Sequence, residues 1–138
     1  RIDRTDADAW FLLGNGYLNL KNWPKAIESF SIAVQFVPEF KEAYQGLARG
    51  YRETGQTNLM AYANGMASYS SGDTSGAIKQ LEQVIAAAPG FAEAHLGVGL
   101  AYEKSGQMDR AIAAYKEALR LEPGMWLADA KLKSLGAK

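Results

Sequence analysis

Apolar and polar positions along this chain follow the period of an α helix. Between Ala9 and Leu20, large apolar residues recur every three or four positions, a spacing that places them on one face of a helix. They are Trp10, Leu13, Tyr17 and Leu20. Prolines fall just after such stretches, where they end a helix rather than interrupt it. The pattern predicts eight helices, at about residues 7–20, 23–36, 41–54, 58–71, 74–87, 92–104, 107–120 and 125–135.

Short polar residues in the turns indicate where helices begin. Asn22 stands just before Pro24, and proline fits the first helical turn because its missing N–H has no partner to lose there. Asp73 and Asp109 occupy similar places in two later turns. We therefore expect these three side chains to cap helices.

Two stretches of the chain repeat one sparse set of residues at the same offsets. The first stretch carries Trp10, Leu13, Gly14, Tyr17, Ala26, Phe30, Ala33 and Pro38, and the last carries His95, Val98, Gly99, Tyr102, Ala111, Tyr115, Ala118 and Pro123. This spacing resembles that of the tetratricopeptide repeat, a helix-turn-helix unit of about 34 residues. The chain is therefore similar to a tetratricopeptide-repeat protein.

The resemblance implies an all-α fold in which stacked hairpins form a right-handed α–α superhelix, the tetratricopeptide solenoid. It implies a single domain over residues 1–138 that ends in a capping helix, since the last unit of a stack needs an element with one polar face. The repeats are expected at about 7–40, 41–57 (partial), 58–91 (irregular) and 92–125, with the capping helix at 126–136.

The middle of the chain departs from the regular repeat length. Pro89 and Pro123 are 34 positions apart, whereas Pro38 and Pro89 are 51 apart, or one and a half repeats. Either residues 58–71 pack as the second helix of the second repeat, or the array splits near Gly55 and Thr57 into two short stacks. In the second case, exposed edges could pair two chains into a homodimer.

Glycines inside the predicted helices indicate close helix packing, because each costs up to about 1 kcal/mol relative to alanine. Gly14 and Gly99 fall where the two helices of one repeat approach each other. For Gly46, Gly50 and Gly97 two interpretations stay open, close packing or open space in a groove.

Composition excludes several classes of function. Fifteen basic and fifteen acidic residues give a net charge of zero, so no global field attracts nucleic acid or an acidic membrane. The chain has no cysteine, which excludes disulfides and thiolate chemistry. No run of about 18 apolar residues is present, which predicts a soluble segment with no direct membrane insertion. We take it as cytoplasmic by default, with an upstream anchor or signal left open.

The first residues predict that this sequence is a segment of a longer protein or a processed product. The chain begins at Arg1, and Ile2 and Arg4 occupy the repeat positions held by Leu121 and Pro123 in the last repeat. Residues 1–6 are therefore expected to be the tail of an earlier repeat.

Candidate catalytic chemistry is sparse. His95 is the single histidine, and it falls at the inward repeat position that holds Trp10 and Tyr44 elsewhere. A packed histidine is the expected interpretation, since no carboxylate lies one turn away on the same face. We predict no catalytic residue, no metal site, no cofactor and no enzymatic activity.

The resemblance implies that a partner binds along a groove formed by the first helix of each repeat. The implied groove residues are Phe11, Leu12, Asn15, Asn19, Gln45, Arg49, Arg52, Tyr62, Met66, Tyr69, Leu96 and Leu100. Aromatic residues and methionine are enriched at the centres of protein interfaces, which favours a protein or peptide partner with an apolar or amphipathic segment. The stretch 58–71 is apolar on more than one face, so burial on two sides is the alternative there.

These patterns predict a non-catalytic protein-protein interaction scaffold that binds a partner peptide or helix in the concave groove. One alternative is a substrate-recruiting or oligomerising segment of a larger enzyme. Another is a structural subunit of a multiprotein assembly.

Overall fold

The computed structural model describes residues 4–136 of the chain, and within this range the protein forms eight α helices. No strand occurs among the described residues. The helices are α1 (Arg4–Asn19), α2 (Trp23–Phe36), α3 (Lys41–Glu53), α4 (Thr57–Ser70), α5 (Thr74–Ala87), α6 (Ala92–Lys104), α7 (Met108–Leu121) and α8 (Trp126–Ser134).

The predicted helix bounds agree with the observed ones to within one residue, except at the start of α1. This helix begins at Arg4 rather than near residue 7. An ion pair joins Arg4 Nε to Asp8 Oδ1 at 3.2 Å. Asp6 adds a negative charge to the first turn, where its interaction with the helix dipole stabilises the helix. Arg4 to Asp6 therefore belong to α1 and not to the tail of an earlier repeat. Ile2 lies outside the described residues.

Two of the three expected caps form. The Asn22 side chain accepts a hydrogen bond from the Lys25 N–H, and Asp73 accepts one from the Gly76 N–H at 3.0 Å. The prediction for Asp109 is wrong, because α7 is preceded by Gln107 and Asp109 lies inside its first turn. An acidic residue there still stabilises the helix through its dipole.

Contacts divide the chain into two compact units, Arg1–Gly72 and Asp73–Lys138. In the first unit, α2 packs against α1 and α3, and α4 packs against α3. In the second unit, α6 packs against α5 and α7, and α8 packs against α7. Residues 57–70 therefore pack as the second helix of the second hairpin, one of the two arrangements that the proline spacing allowed. The single-domain organisation over residues 1–138 stays a prediction.

The core of the first unit is built around the Phe30 ring, which lies between two glycines. A Cβ atom added to Gly14 of α1 would stand 2.7 Å from the Phe30 ring, and one added to Gly46 of α3 would stand 2.5 Å from it. Similarly, a Cβ on Gly50 would stand 2.7 Å from the Ile27 side chain. Gly46 and Gly50 thus serve close packing rather than open space.

The second unit repeats half of this arrangement, with one glycine against Tyr115. A Cβ added to Gly99 of α6 would stand 2.7 Å from the Tyr115 ring, which is fully buried. The Tyr115 hydroxyl donates a 2.7 Å hydrogen bond to Glu103 Oε1, and Lys131 Nζ of α8 lies 3.5 Å from the same oxygen. These contacts join α6, α7 and α8. A capping role for α8 stays a prediction.

We expect Gly46→Ala to lower the free energy of unfolding by about 1–3 kcal/mol, because its methyl group would overlap the Phe30 ring. Gly16→Ala in α1 is the matched control, since a Cβ there would meet nothing within 4 Å. In the control, the free energy of unfolding should rise by about 0.5–1 kcal/mol, because alanine reduces the backbone freedom of the unfolded chain. Urea unfolding followed by circular dichroism measures both variants, and equal stability would contradict the packing around Phe30.

Candidate binding surfaces

Three of the predicted groove residues meet at one cleft in the first unit. Gln45, Arg49 and Arg52 lie three or four positions apart on α3, so they share one face of that helix. The cleft has a volume of about 250 Å³. Its lining residues are Gln45, Ala48, Arg49 and Arg52 from α3, and Met60 and Asn64 from α4.

The two arginines of this α3–α4 cleft keep exposed guanidinium groups. Arg52 Nε lies 3.6 Å from Glu53 Oε2, an exposed ion pair that contributes little stability. The Arg49 guanidinium carbon lies 6.0 Å from the centre of the Trp23 ring, at the limit of a cation–π contact. Both groups can therefore offer N–H donors to a ligand without breaking a buried pair.

The predicted groove residues of α1 divide between two environments. The Phe11 ring packs against the core, with its centre 5.7 Å from that of Phe30 and 4.9 Å from that of Phe40. Asn15 is half-buried and Asn19 is exposed. Leu12 is 67% exposed and lies on another face of α1, together with Ala9 and Gly16.

Two predicted site residues of α4 lie in the core instead. Met66 and Tyr69 are buried, so in this structure neither can contact a partner. Their assignment to the groove is corrected, because α4 carries apolar side chains on more than one face and these two belong to its buried residues. Tyr62 is half-buried.

In the second unit, Leu96 and Leu100 are half-buried on α6. Four positions separate them, which places them on one face of the helix. Lys104 follows on the same face at the same interval. The arrangement offers a short apolar strip that ends in a cation.

A second cleft, which the sequence reasoning missed, lies on a different face of α6. Successive residues of a helix are about 100° apart, so the side of α6 that carries His95, Val98 and Tyr102 points away from Leu100. The volume of this cleft is about 460 Å³. It is lined by Glu82, Ile85, His95, Val98, Tyr102, Arg110, Ala113, Ala114 and Glu117.

Polar groups at this second cleft already have hydrogen-bond partners within the protein. The Tyr102 hydroxyl donates a hydrogen bond to Glu82 Oε2, and burial together with this bond raises the pKa of Tyr102 above its ordinary value. His95 Nε2 lies 2.8 Å from the Pro89 carbonyl oxygen. The sequence signal that could have found the cleft is His95 itself, since imidazole is smaller than the aromatic groups of Trp10 and Tyr44 at the same repeat position.

Two kinds of feature are absent from residues 4–136. This range holds no group of three or more His, Cys, Asp or Glu residues placed to bind a metal ion. Of the helices it contains, none is both long and apolar enough to cross a membrane.

Known proteins match the chain mainly through its repeats. Two family models described as the tetratricopeptide repeat match residues 7–40 and residues 62–125, which together make up more than two thirds of the chain. Among curated proteins, the cellulose synthase operon protein C of Escherichia coli K12 is 29% identical over 113 residues, or 78% of this chain. This chain spans about a tenth of the length of that relative.

Solved structures of similar fold share little sequence with the chain. A double mutant of MamA (RS-1 ArsTM) is 19% identical with a TM-score of 0.59, and the match covers 94% of this chain and 83% of that one. YrrB, described as a tetratricopeptide-repeat protein with an unusual peptide-binding site, is 21% identical with a TM-score of 0.55, covering 95% and 76%. These likenesses and the helices described above confirm the predicted all-α helical-repeat fold.

Tyr44 is a buried tyrosine whose hydroxyl makes the stability of the protein depend on pH in the alkaline range. Burial raises the pKa of the Tyr44 hydroxyl well above its ordinary value, and Tyr69 and Glu39 shift it further in the same direction. Above about pH 10 the unfolded chain loses this proton while the folded chain holds it, so the free energy of unfolding falls as pH rises.

We expect Tyr44→Phe to reduce this alkaline loss of stability by about 1 kcal/mol at one pH unit above the unfolded pKa. Urea unfolding of the parent chain and the variant at a series of pH values between about 8 and 11 measures the difference. Parallel pH profiles for the two proteins would contradict the assignment to Tyr44.

Proposed function

The chain belongs to the tetratricopeptide repeat family, and on this premise we propose that it is a non-catalytic protein-interaction module. Its partner is a peptide or helix that binds in the groove lined by the first helices of the repeats. The observation that carries the proposal is the α3–α4 cleft, where three groove residues chosen from the repeat pattern line one cavity.

The chemistry of the α3–α4 cleft suits an amphipathic segment. Met60 supplies a flexible apolar surface that adapts to different side chains. Arg49 and Arg52 supply planar N–H donors for a carboxylate or a backbone carbonyl, and Gln45 can both donate and accept. A cavity of about 250 Å³ holds one or two side chains. The cleft therefore fits one apolar anchor of the partner, flanked by hydrogen-bond acceptors.

Other groove residues extend the proposed surface within each unit. In the first unit, Asn15 and Asn19 offer amide groups on α1, and Tyr62 offers a partly accessible ring on α4. In the second unit, Leu96 and Leu100 offer apolar contacts on α6. The peptide-binding site described for YrrB supports the proposal only in showing that a protein of this fold can bind a peptide.

The proposal is tested by selecting peptides from a display library on the immobilised chain and measuring the affinity of the selected peptides by calorimetry. We expect Arg49→Glu and Met60→Ala each to weaken binding about tenfold or more, because one loses the donors and the other loses the apolar anchor. Selected sequences should combine an apolar residue with acidic or amide neighbours.

Two matched controls carry the same chemical changes outside the cleft. Lys116→Glu reverses an exposed charge on α7, and Met108→Ala removes an exposed apolar side chain from the same helix. Both should bind like the parent. If the two cleft variants also bind like the parent while circular dichroism shows them folded, the α3–α4 cleft is not the binding surface.

The length of the curated relatives favours a second candidate function. Because the chain matches about a tenth of such a protein, its repeats would serve there as a recruiting or structural segment of a larger enzyme or assembly. Binding of a free peptide by the α3–α4 cleft is not required in that case. Sedimentation equilibrium of the chain measures the homodimer that an oligomerising segment would form.

A further inference from the structure

One side of α1 exposes a continuous row of apolar and small residues. Leu12 is 67% exposed, Leu13 44% and Leu20 76%. Ala9 and Gly16 are exposed beside them. The four residues within α1 recur at helical spacing and share one side of the helix, and Leu20, which directly follows the helix, continues the row. We call this side the α1 outer face, and it is separate from the α3–α4 cleft.

The repeat spacing shows which positions of other helices correspond to the α1 outer face. Trp10, Tyr44 and His95 hold one repeat position on α1, α3 and α6, so the residues next to them can be matched in turn. Leu13 then matches Leu47 and Val98. These two residues are only 4% and 3% exposed. The same face is therefore covered in both other helices.

In both cases the cover is the helix that comes directly before in the sequence. Against α3, the face meets α2, because Cβ atoms added to Gly46 and Gly50 would stand 2.5 Å from Phe30 and 2.7 Å from Ile27. The helix before α6 is α5, which packs against it, and Ala94 and Ala101 of α6 are fully buried. The corresponding positions on α1 are Ala9, Leu12 and Gly16, and all three are exposed.

Leu12 makes the α1 outer face different from its counterparts. It stands where α3 has Gly46 and α6 has Gly97. Even one added carbon at Gly46 would overlap the Phe30 ring, so a leucine cannot face a large residue in the same geometry. Phe30 is matched by Leu81 on α5 and by Tyr115 on α7. A copy of α2, α5 or α7 therefore does not fit on α1 in the repeat register.

We propose that the α1 outer face binds an amphipathic helix from outside these 138 residues, with a small residue opposite Leu12. This residue is glycine, alanine or serine, and apolar residues one turn away on either side of it contact Leu13 and Leu20. The small residue and Leu12 together fill the space that a glycine and an aromatic ring, such as Gly46 and Phe30, fill between two other helices.

Two synthetic helical peptides test this size rule. Both copy residues 107–122, which include α7 and its flanking residues, and one of them carries Tyr115→Ala. We follow the amide resonances of the 138-residue chain by NMR during titration. We expect the alanine peptide to shift the resonances of the α1 outer face and to bind about tenfold more tightly than the tyrosine peptide.

Moving the small residue from the peptide to position 12 of the chain should reverse which of the two peptides binds more tightly. The Leu12→Gly chain should bind the tyrosine peptide more tightly than the alanine peptide. Met108→Gly is the matched control, since it removes an exposed apolar side chain elsewhere, and it should keep the parental preference. Circular dichroism verifies that each variant is folded.

Three results would overturn the proposal. One is the absence of shifts on the α1 outer face with either peptide up to about 1 mM. Another is an unchanged preference in the Leu12→Gly chain. The third is a dimer of the parent chain, seen by sedimentation equilibrium, that dissociates on Leu13→Glu, because a second copy would then occupy the face. Loss of peptide binding at the α3–α4 cleft would leave this proposal standing.

Discussion

The packing of the first unit depends on one aromatic ring held between two glycines. Phe30 of α2 fills the space that Gly14 of α1 and Gly46 of α3 leave open, so three helices approach one another around a single side chain. Any side chain at either glycine would require the helices to move apart. Tyr115 and Gly99 repeat half of this arrangement in the second unit, where Glu103 binds the tyrosine hydroxyl.

Much of the fold could be predicted from sequence because helical periodicity and turn residues are local signals. The helix bounds depended on Trp10, Leu13 and Pro38 and on similar residues, whose effects act within one or two turns. The roles of Gly46 and Gly50 could not be predicted, since a glycine in a helix is compatible with close packing and with open space alike. The positions of Phe30 and Ile27 on α2 distinguish the two.

The candidate site was less predictable, because exposure depends on which helices become neighbours. Met66 and Tyr69 carry side chains typical of interfaces, but both are buried in the fold. The α3–α4 cleft exists because residues 57–70 follow α3 as the second helix of a hairpin, an arrangement that the proline spacing left open. His95 marks the second cleft through its small size, which a search for catalytic chemistry does not register.

Helix packing in this protein is almost entirely between neighbours in sequence. Among the described helices, the α1–α3 contact is the one substantial exception. Short loops close these contacts at little entropic cost, so the chain has the low contact order of rapidly folding helical proteins. Each unit carries its own aromatic centre, Phe30 or Tyr115. Folding can therefore start at either end of the chain, and a polypeptide emerging from the ribosome can complete the Phe30 core before Tyr115 has been synthesised.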